Sequence, residues 1–306
     1  MNKRTALLAT VFAFALALAL PMSALAADTN DTYSKPASGK KIACVINKAN
    51  VYKSDSFSSK VLKTLSFNKK PTLLGVGKKW YHIKSGSVEG YVVKSSFVYY
   101  NSKKKHIALT FDDGPHATNT KTVLNALDKY NCKATFFVLG NNINSKTGKL
   151  LKRAKKLGCQ IANHSYSHPQ LTGLSTSSIK SQLSRTDTRV KKYTGSKTKL
   201  LRPPYGAINS TVKKAAGRAC VLWSVDTNDW KYRDTARLKK YVPSHASDGA
   251  IVLMHDIHPT TAKAVGSICY SLKKKGYEMV TVTELAAING RHLNKGYSYG
   301  SLKKKK

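Results

Sequence analysis

The segment HIALTFDDGPH, at residues 106–116, joins an apolar run to two adjacent aspartates and a Gly-Pro turn. A short apolar run that is bounded by turn residues is typical of a buried strand. Asp-Gly-Pro sequences form turns in many contexts, so a turn alone would explain one aspartate. The doubled carboxylate, Asp112 and Asp113, therefore raises the question of whether the two share one function or divide two.

This strand begins a repeating pattern of apolar runs and helical segments. The other candidate strands are 134–139, 159–163, 199–202, 219–225, 250–254 and 278–282. Helical patterns lie between them, for example at 120–130 and 261–276. Alternating strands and helices predict an α/β fold with a parallel sheet. Seven repeats in about 185 residues are too few for a full eight-unit barrel, so we expect a compact distorted (β/α) barrel of about seven strands.

The start of the chain has the pattern of a secretory signal peptide. Lys3 and Arg4 precede an apolar run at 6–20, and small residues follow at 24–26. This order predicts a signal peptide over 1–26 and a secreted protein with no transmembrane anchor after cleavage. An uncleaved anchor is the alternative, but the run of ~15 residues is short against the ~20 that a membrane span needs.

The remaining regions differ in composition. Residues 27–40 are polar and contain Ser, Pro and Gly, which predicts a flexible linker. Residues 41–100 contain short alternating runs, which predict a small all-β barrel domain. The lysine-rich sequence NSKKK at 101–105 indicates a hinge before the α/β domain at 104–290, and LKKKK ends a tail at 291–306 that we expect to be basic and mobile.

The chain is strongly basic. Its 306 residues include 53 Lys and Arg against 15 Asp and Glu, a formal net charge of +38. Nucleic acid is the usual partner of such a charge, but predicted export argues against it. An anionic cell wall or membrane surface fits both observations, so we expect anionic cell-wall polymers to bind the basic surface. The alternative is that the lysines only solvate helix faces, as at 150–158.

The cysteines give no metal-binding pattern. They are Cys44, Cys132, Cys159, Cys220 and Cys269. None forms a CxxC or CxxH pair, which disfavours a zinc-thiolate site. Export permits disulfides, but the sequence assigns no pairs, and we expect buried free thiols.

Polar clusters follow five of the predicted strands. They are Asp112-Asp113, NHSYSHP at 163–169, RPPYG at 202–206, DTNDW at 226–230 and HD at 255–256. The carboxyl ends of parallel strands converge on one face of such folds, where sites form. We therefore expect these five clusters to build one site.

The histidines and aspartates permit metal-assisted hydrolysis. His164, His168 and one carboxylate supply three ligands and leave an open position, as catalytic zinc requires. The HxxxH pair alone is weak evidence, because Pro169 could simply mark a surface loop. The sequence lacks the Glu of HExxH, which disfavours a metalloprotease. If one aspartate binds metal, the other can act as a general base on water.

Two further groups complete this chemistry. Arg202 can donate two hydrogen bonds to a carboxylate and hold it ionised, or it can be an ordinary surface arginine. His255 can protonate a leaving group, with Asp229 raising its pKa by proximity. The alternative for His255 is a capping or core histidine.

The five clusters resemble the signatures of NodB-homology polysaccharide deacetylases, in order, over roughly residues 105–290. The resemblance implies a metal-dependent hydrolase that removes N-acetyl groups from a polysaccharide. It makes Asp112 the general base and Asp113, His164 and His168 the ligands of a divalent metal. Zinc is the expected metal, with cobalt, nickel or manganese as alternatives.

The resemblance also implies roles for residues around the reacting group. Arg202 would orient the base, and the backbone N–H of Tyr205 would stabilise an oxyanion. Trp230 and Leu253 would enclose the acetyl methyl group. His255, tuned by Asp229, would protonate the departing amine, whereas Asp226 would only shape its loop.

Residues 49–65 and 78–98 are similar to bacterial Src-homology-3-like domains, which commonly target proteins to cell walls. With the predicted export and basicity, this makes peptidoglycan N-acetylglucosamine deacetylation the expected activity. Two enzyme alternatives are a chitooligosaccharide deacetylase and a xylan acetylesterase. A non-catalytic wall-binding protein is the alternative of another class.

Overall fold

The computed structural model describes residues 31–46 and 48–304. The predicted signal peptide at 1–26 lies outside these residues, as do the first four residues of the predicted linker and the last two of the tail. Within the described ranges, none of the helices combines the length and the apolar character that a membrane crossing needs.

The first unit is all-β. Its strands are β1 (Lys40–Cys44), β2 (Ala49–Tyr52), β3 (Val61–Leu65), β4 (Thr72–Val76), β5 (Trp80–Ser85), β6 (Val88–Val93) and β7 (Phe97–Asn101). Five of them form an antiparallel sheet in the order β3-β2-β6-β5-β4, and β1 pairs antiparallel with β7. Gly90 lets β6 approach β2 closely, because a Cβ at this position would collide with the carbonyl oxygen of Tyr52.

The second unit alternates strands and helices. Its strands are β8 (Lys105–Asp112), β9 (Thr135–Val138), β10 (Gln160–Asn163), β11 (Leu200–Leu201), β12 (Ala219–Val221), β13 (Val225–Asp226), β14 (Ile251–His255), β15 (Tyr277–Met279) and β16 (Ser298–Tyr299). Its helices are α1 (Asn119–Lys129), α2 (Ser145–Lys156), α3 (Thr176–Thr194), α4 (Ser210–Ala216), α5 (Asp229–Tyr232), α6 (Thr235–His245), α7 (Pro259–Lys274) and α8 (Val282–Ile288).

Local sequence fixes the ends of these helices. At the start of α2 the Asn144 side chain accepts from the Thr147 backbone N–H, and the Thr147 hydroxyl accepts from the Asn144 N–H. This reciprocal pair is a capping box. Helix α3 ends at Gly195, whose φ of 77° is the left-handed conformation that glycine adopts readily.

The strands of the second unit form one curled parallel sheet. Its order is β13-β14-β8-β9-β10-β11-β12-β16, and β15 pairs with the beginning of β8. Apolar side chains of the strands and of α1, α2, α6 and α7 form the main core. The expected α/β fold with a compact distorted barrel is therefore confirmed.

The predicted strand 219–225 is wrong as a single element. It divides into β12, which pairs with β11 and β16, and β13, which pairs with β14 at the other end of the sheet. Residues 222–224 cross the opening between these two ends. The sheet therefore has nine strands, because the division and β16 add two to the predicted seven.

The expectation of a mobile tail is wrong for its described part. Strand β16 pairs parallel with β12, and Leu302 is fully buried. The Leu302 N–H donates to the Gly249 carbonyl at 2.8 Å, and the Asn289 amide donates to the Leu302 carbonyl at 2.8 Å. Burial of a leucine side chain and a strand pairing hold this segment despite its lysines.

The two units share a core. Ala43, Val98 and Tyr100 of the first unit are buried with residues of β8, β14 and α8. Residues 101–105 form a tight turn, in which the Ser102 N–H donates to the Gly39 carbonyl at 2.8 Å. The expected hinge is therefore a packed junction.

The described part of the predicted linker also packs on the first unit. The Asp31 carboxylate accepts from the backbone N–H groups of Lys79 and Trp80, and the Tyr33 hydroxyl donates to Asp55 at 3.1 Å. The segment is thus attached to the sheet. All five cysteines are buried and free, as expected.

Candidate active site

The five polar clusters meet at one cavity of about 490 Å³, at the carboxyl ends of the parallel strands. The residues that line it are Asp112, Asp113, His164, His168, Tyr205, Gly206, Trp223, Asp226, Trp230, Leu253 and His255. The expected convergence is confirmed. In the pairing of β14 with β8, His255 lies directly beside Asp112, which places two of the predicted reactive groups on neighbouring strand ends.

Asp113, His164 and His168 form a compact set of potential metal ligands. Asp113 Oδ1 lies 3.4 Å from His164 Nε2 and 3.5 Å from His168 Nε2. One ligand atom from each residue lies within 4.8 Å of the others. Asp113 Oδ1 is buried and has no hydrogen-bond partner among the described residues. A buried carboxylate oxygen without a partner is costly, and a divalent cation held by these three groups would satisfy it.

The backbone is unusual at these ligands. Asp113 and His168 have φ values of 71° and 63°, in the left-handed region that few residues other than glycine adopt. The His168 loop is held by Ser165, whose hydroxyl accepts from the His168 N–H at 2.9 Å. Such conformations are retained where surrounding structure enforces them, and they cluster at functional sites.

His164 is held as a neutral imidazole. Its Nδ1 lies 2.7 Å from the Arg202 carbonyl oxygen, which fixes Nδ1 as the donor and leaves the Nε2 lone pair facing Asp113 and His168. Burial lowers the pKa of His164 to about 3. A neutral nitrogen with a free lone pair is the state that metal binding requires.

Asp112 and Arg202 form a buried ion pair. Arg202 Nη1 donates to Asp112 Oδ1 at 2.7 Å and to Thr110 Oγ1 at 2.8 Å. The other guanidinium nitrogens donate to the carbonyls of Val221 and Leu222. Burial raises the pKa of Asp112, and the charge of Arg202 opposes that rise. Arg202 is therefore a fully buried partner of Asp112 and not a surface arginine.

His255 is paired with Asp229. Its Nδ1 lies 2.7 Å from Asp229 Oδ1, and its backbone N–H donates to Asp229 Oδ2. The Thr261 hydroxyl also donates to Asp229. Burial alone would lower the pKa of His255, but the hydrogen bond and charge of Asp229 outweigh it and raise the pKa to about 9. His255 lines the cavity as a cationic group, so it is neither a capping nor a core histidine.

The remaining predicted residues form the walls of the cavity. Tyr205 is 67% exposed with a φ of 60°, and its ring centroid lies 4.6 Å from that of His168. Trp230 is half exposed, whereas Leu253 is buried. Asp226 accepts from the Asn228 N–H at 2.8 Å, as a residue that shapes its loop does.

Sequence reasoning missed Trp223. Its indole packs against Gly206, where a Cβ would come within 2.7 Å of the ring. Trp223 lies within the predicted strand 219–225 and outside the five polar clusters, so no motif indicated that it lines the site. The glycine of RPPYG was the one indirect signal, because close packing often demands glycine.

Fold and site together match a known class of protein. A family model described as polysaccharide deacetylase matches residues 99–221. An acetyl xylan esterase structure from Clostridium thermocellum, described in complex with a cobalt ion, is 35% identical; the match covers 65% of this chain and 99% of that one, with a TM-score of 0.62. The chain belongs to the polysaccharide deacetylase family.

Two curated relatives carry more particular names. Peptidoglycan-N-acetylglucosamine deacetylase PgdA of Listeria monocytogenes is 49% identical over 181 residues, which are 59% of this chain and 39% of PgdA. Peptidoglycan-N-acetylmuramic acid deacetylase PdaC of Bacillus subtilis is 40% identical over 60% of this chain and 39% of PdaC. The chain thus spans about two fifths of the length of either relative.

Proposed function

We propose that this protein hydrolyses N-acetyl groups of N-acetylglucosamine in peptidoglycan, acting on a carbon-nitrogen bond that is not a peptide bond. One observation carries the proposal. The unpartnered Asp113 Oδ1 lies within 3.5 Å of both histidines, whereas Asp112 Oδ1 is held by Arg202 and its Oδ2 lies 3.7 Å from His164 alone. The doubled aspartate therefore divides two functions, metal binding for Asp113 and proton transfer for Asp112.

A divalent cation held by Asp113, His164 and His168 would act as a Lewis acid and make a bound water more acidic. Asp112 takes the proton of the attacking water. Its raised pKa suits a group that must bind that proton, and the Arg202 guanidinium keeps its carboxylate directed into the cavity. The backbone N–H of Tyr205 donates to the oxyanion that develops on the acetyl oxygen.

His255 completes the reaction. When the carbon-nitrogen bond breaks, His255 gives its proton to the nitrogen, so the products are acetate and a free-amine sugar. Asp229 keeps His255 protonated and oriented for this transfer. Trp230 and Leu253, which both line the cavity, enclose the acetyl methyl group in an apolar slot.

Zinc is the metal that we propose. Two neutral imidazoles and one carboxylate are the donor set of catalytic zinc sites. Cobalt, nickel and manganese accept the same donors, and the Clostridium thermocellum relative is described with cobalt. Metal analysis of the purified protein, followed by restoration of activity with each ion, distinguishes these candidates.

The names of the curated relatives support peptidoglycan as the polymer. The intact Asp112-Asp113 pair is our reason to prefer N-acetylglucosamine to N-acetylmuramic acid. A chitooligosaccharide deacetylase and a xylan acetylesterase are the alternatives, the latter favoured by the likeness to the Clostridium thermocellum enzyme. Acetate release should be measured from peptidoglycan, chitin oligomers and acetyl-xylan. Activity on acetyl-xylan alone would refute the peptidoglycan assignment.

The first unit supports a location at the cell wall. We propose that residues 41–100 are a bacterial Src-homology-3-like targeting domain and that the protein is secreted. The antiparallel five-stranded sheet is compatible with such a domain. A variant that lacks residues 1–26 should stay inside the cell, and sedimentation of the wild-type protein with purified walls tests the targeting. Recovery of the wild-type protein only in the cytoplasm would contradict this part of the proposal.

A further inference from the structure

A second cavity, of about 520 Å³, lies between the two units. We call it the interdomain cleft; its charged residues are Lys40, Lys41, Lys70 and Lys304, and His106 also lines it. His106 is at the beginning of β8 and Asp112 at its end, six residues further on. At about 3.3 Å per residue, the cleft lies roughly 20 Å from the candidate active site. It is therefore a separate site on the opposite end of the sheet.

The cleft carries an uncompensated positive charge. Glu278 is paired with Lys40 at 2.8 Å and with the buried His106 at 3.3 Å. No carboxylate among the described residues forms a salt bridge with Lys41, Lys70 or Lys304. Three ammonium groups thus surround one concavity without an acidic partner of their own.

The lysines are close enough to repel one another. Burial lowers the pKa of Lys70, and the charges of Lys304 and Lys41 lower it further. Lys70 Nζ donates to the Ile288 carbonyl at 2.6 Å, which holds this ammonium at the wall of the cleft. Like charges held together are unfavourable, and an anion placed among them removes the repulsion.

We propose that the interdomain cleft binds a phosphodiester group of an anionic polyol-phosphate polymer. Ammonium groups bind phosphate as point charges, and the volume has the size of a site for a small molecule or one polymer repeat. The aromatic residue of the cleft, Tyr100, is only 4% exposed, so no ring is available on which a base could stack. Single-stranded nucleic acid, which binds through such stacking, is therefore disfavoured.

The proposal stands independently of the deacetylase activity, because no residue of the candidate active site lines the cleft. The proposal identifies the interdomain cleft as the place where the excess positive charge of the protein binds an anion. A polymer bound there would hold the protein at a surface while the catalytic cavity stays open. It also bridges residues of both units, so binding should raise the thermal unfolding midpoint.

The test compares two double variants of the full chain. Lys41→Gln/Lys70→Gln removes two cleft charges, and Lys121→Gln/Lys149→Gln removes two exposed helix charges. Binding of poly(glycerol phosphate) is measured by calorimetry at fixed ionic strength. We expect the cleft variant to bind about tenfold more weakly, a difference of 1.4 kcal/mol, and the control variant to bind like the wild type. Equal weakening in both variants would overturn the proposal in favour of a diffuse surface effect.

Two further probes identify the source of the phosphate. Inorganic phosphate should bind more weakly than the polymer, and single-stranded DNA with the same number of phosphates should not distinguish the two variants. Equal affinity for inorganic phosphate and polymer, or the same loss for DNA, would overturn the assignment to a polyol-phosphate polymer. Acetate release from soluble peptidoglycan fragments that carry no polyol phosphate should be equal in both variants, which separates this test from that of the proposed activity.

Additional variants distinguish the loss of charge in the cleft from misfolding of the protein. Lys41→Arg/Lys70→Arg keeps the charges and should keep polymer binding. Lys304→Gln changes an exposed residue at the end of the described chain and should weaken binding by about threefold. Wild-type binding by Lys304→Gln together with lost binding by the Arg variant would contradict a charge-based site.

Discussion

Arg202 and Asp112 form an ion pair of 2.7 Å in which the arginine is fully buried and the aspartate is 2% exposed. The same guanidinium also donates to the Thr110 hydroxyl, to the Val221 carbonyl at the end of β12 and to the Leu222 carbonyl of the segment that crosses the opening of the sheet. The ion pair therefore anchors the candidate base, Asp112, to the surrounding strands of the barrel. Arg202 holds Asp112 Oδ1, and only Asp113 lies near both histidines, so the two aspartates of the doublet occupy different positions.

Removing the charge of the base should separate metal binding from turnover. Asp112→Asn keeps the shape of the side chain and leaves the three proposed ligands in place. We expect a full complement of metal and a rate of acetate release reduced by about 10²–10⁴-fold. Metal content and acetate release are measured on the same sample. An active Asp112→Asn protein would place the base elsewhere.

Removing a metal ligand should abolish metal binding and acetate release together. His168→Ala takes one nitrogen from the set that surrounds the unpartnered oxygen of Asp113. We expect metal affinity to fall by a factor of 10² or more, since ligand loss exceeds the effect of losing an outer partner. His116→Ala is the matched control, because this exposed histidine lies outside the ligand set. Full metal occupancy in His168→Ala would reject its assignment as a ligand.

The pH dependence should report the Asp229–His255 pair. His255 must be protonated to act as an acid, so the rate should fall as pH rises through its pKa of about 9. Asp229→Asn removes a negative charge that stabilises protonated His255. The alkaline limb of the pH–rate profile should therefore shift to lower pH by about one to three units. Asp128→Asn, an exposed change on α1, should leave the limb in place. An unchanged limb in Asp229→Asn would show that His255 is not the titrating acid.

Breaking the buried ion pair should cost stability. Arg202→Met leaves Asp112 buried without a cation, and we expect a loss of about 3–5 kcal/mol in the free energy of unfolding. Arg153→Met removes a partly exposed pair with Asp128 and should cost less than about 1 kcal/mol. Urea denaturation of both variants measures the difference. Equal losses of unfolding free energy in the two variants would contradict the structural role of the Arg202–Asp112 pair.

The end of the chain should contribute to the fold. Leu302 is fully buried, so Leu302→Ala should destabilise the protein by about 2–5 kcal/mol. The neighbouring Lys303 is exposed, and Lys303→Ala should have little effect. Thermal unfolding gives the comparison. If both substitutions were neutral, the docking of this segment on the sheet would be wrong.

The candidate site could be predicted from the sequence because each polar cluster directly follows a strand. Parallel strands bring their carboxyl ends together, so the motifs converged although they lie far apart in the chain. Thr110 was not predicted, since an inward threonine within a buried strand has no signal that it bonds a distant arginine. Trp223 was missed for a related reason, because it lies within the predicted strand 219–225 and outside the five polar clusters.

The limits of the fold prediction have similar physical causes. The run at 219–225 is apolar except for Ser224, and periodicity cannot show that it crosses an opening in the sheet. The tail is rich in lysine, and nothing in its local charge pattern indicates that Leu302 is buried. In both cases the pairing partner lies far away in sequence, and long-range pairing decides the structure.

The central claim is metal-dependent deacetylation at the Asp113, His164 and His168 set, with Asp112 as the base. Its most direct test is acetate release from purified peptidoglycan by metal-free protein that is titrated with zinc. We predict that acetate release appears in step with zinc binding and saturates at one zinc per chain, with one free amine formed for each acetate. Binding of zinc at that ratio without release of acetate, or release by the metal-free protein, would contradict the account.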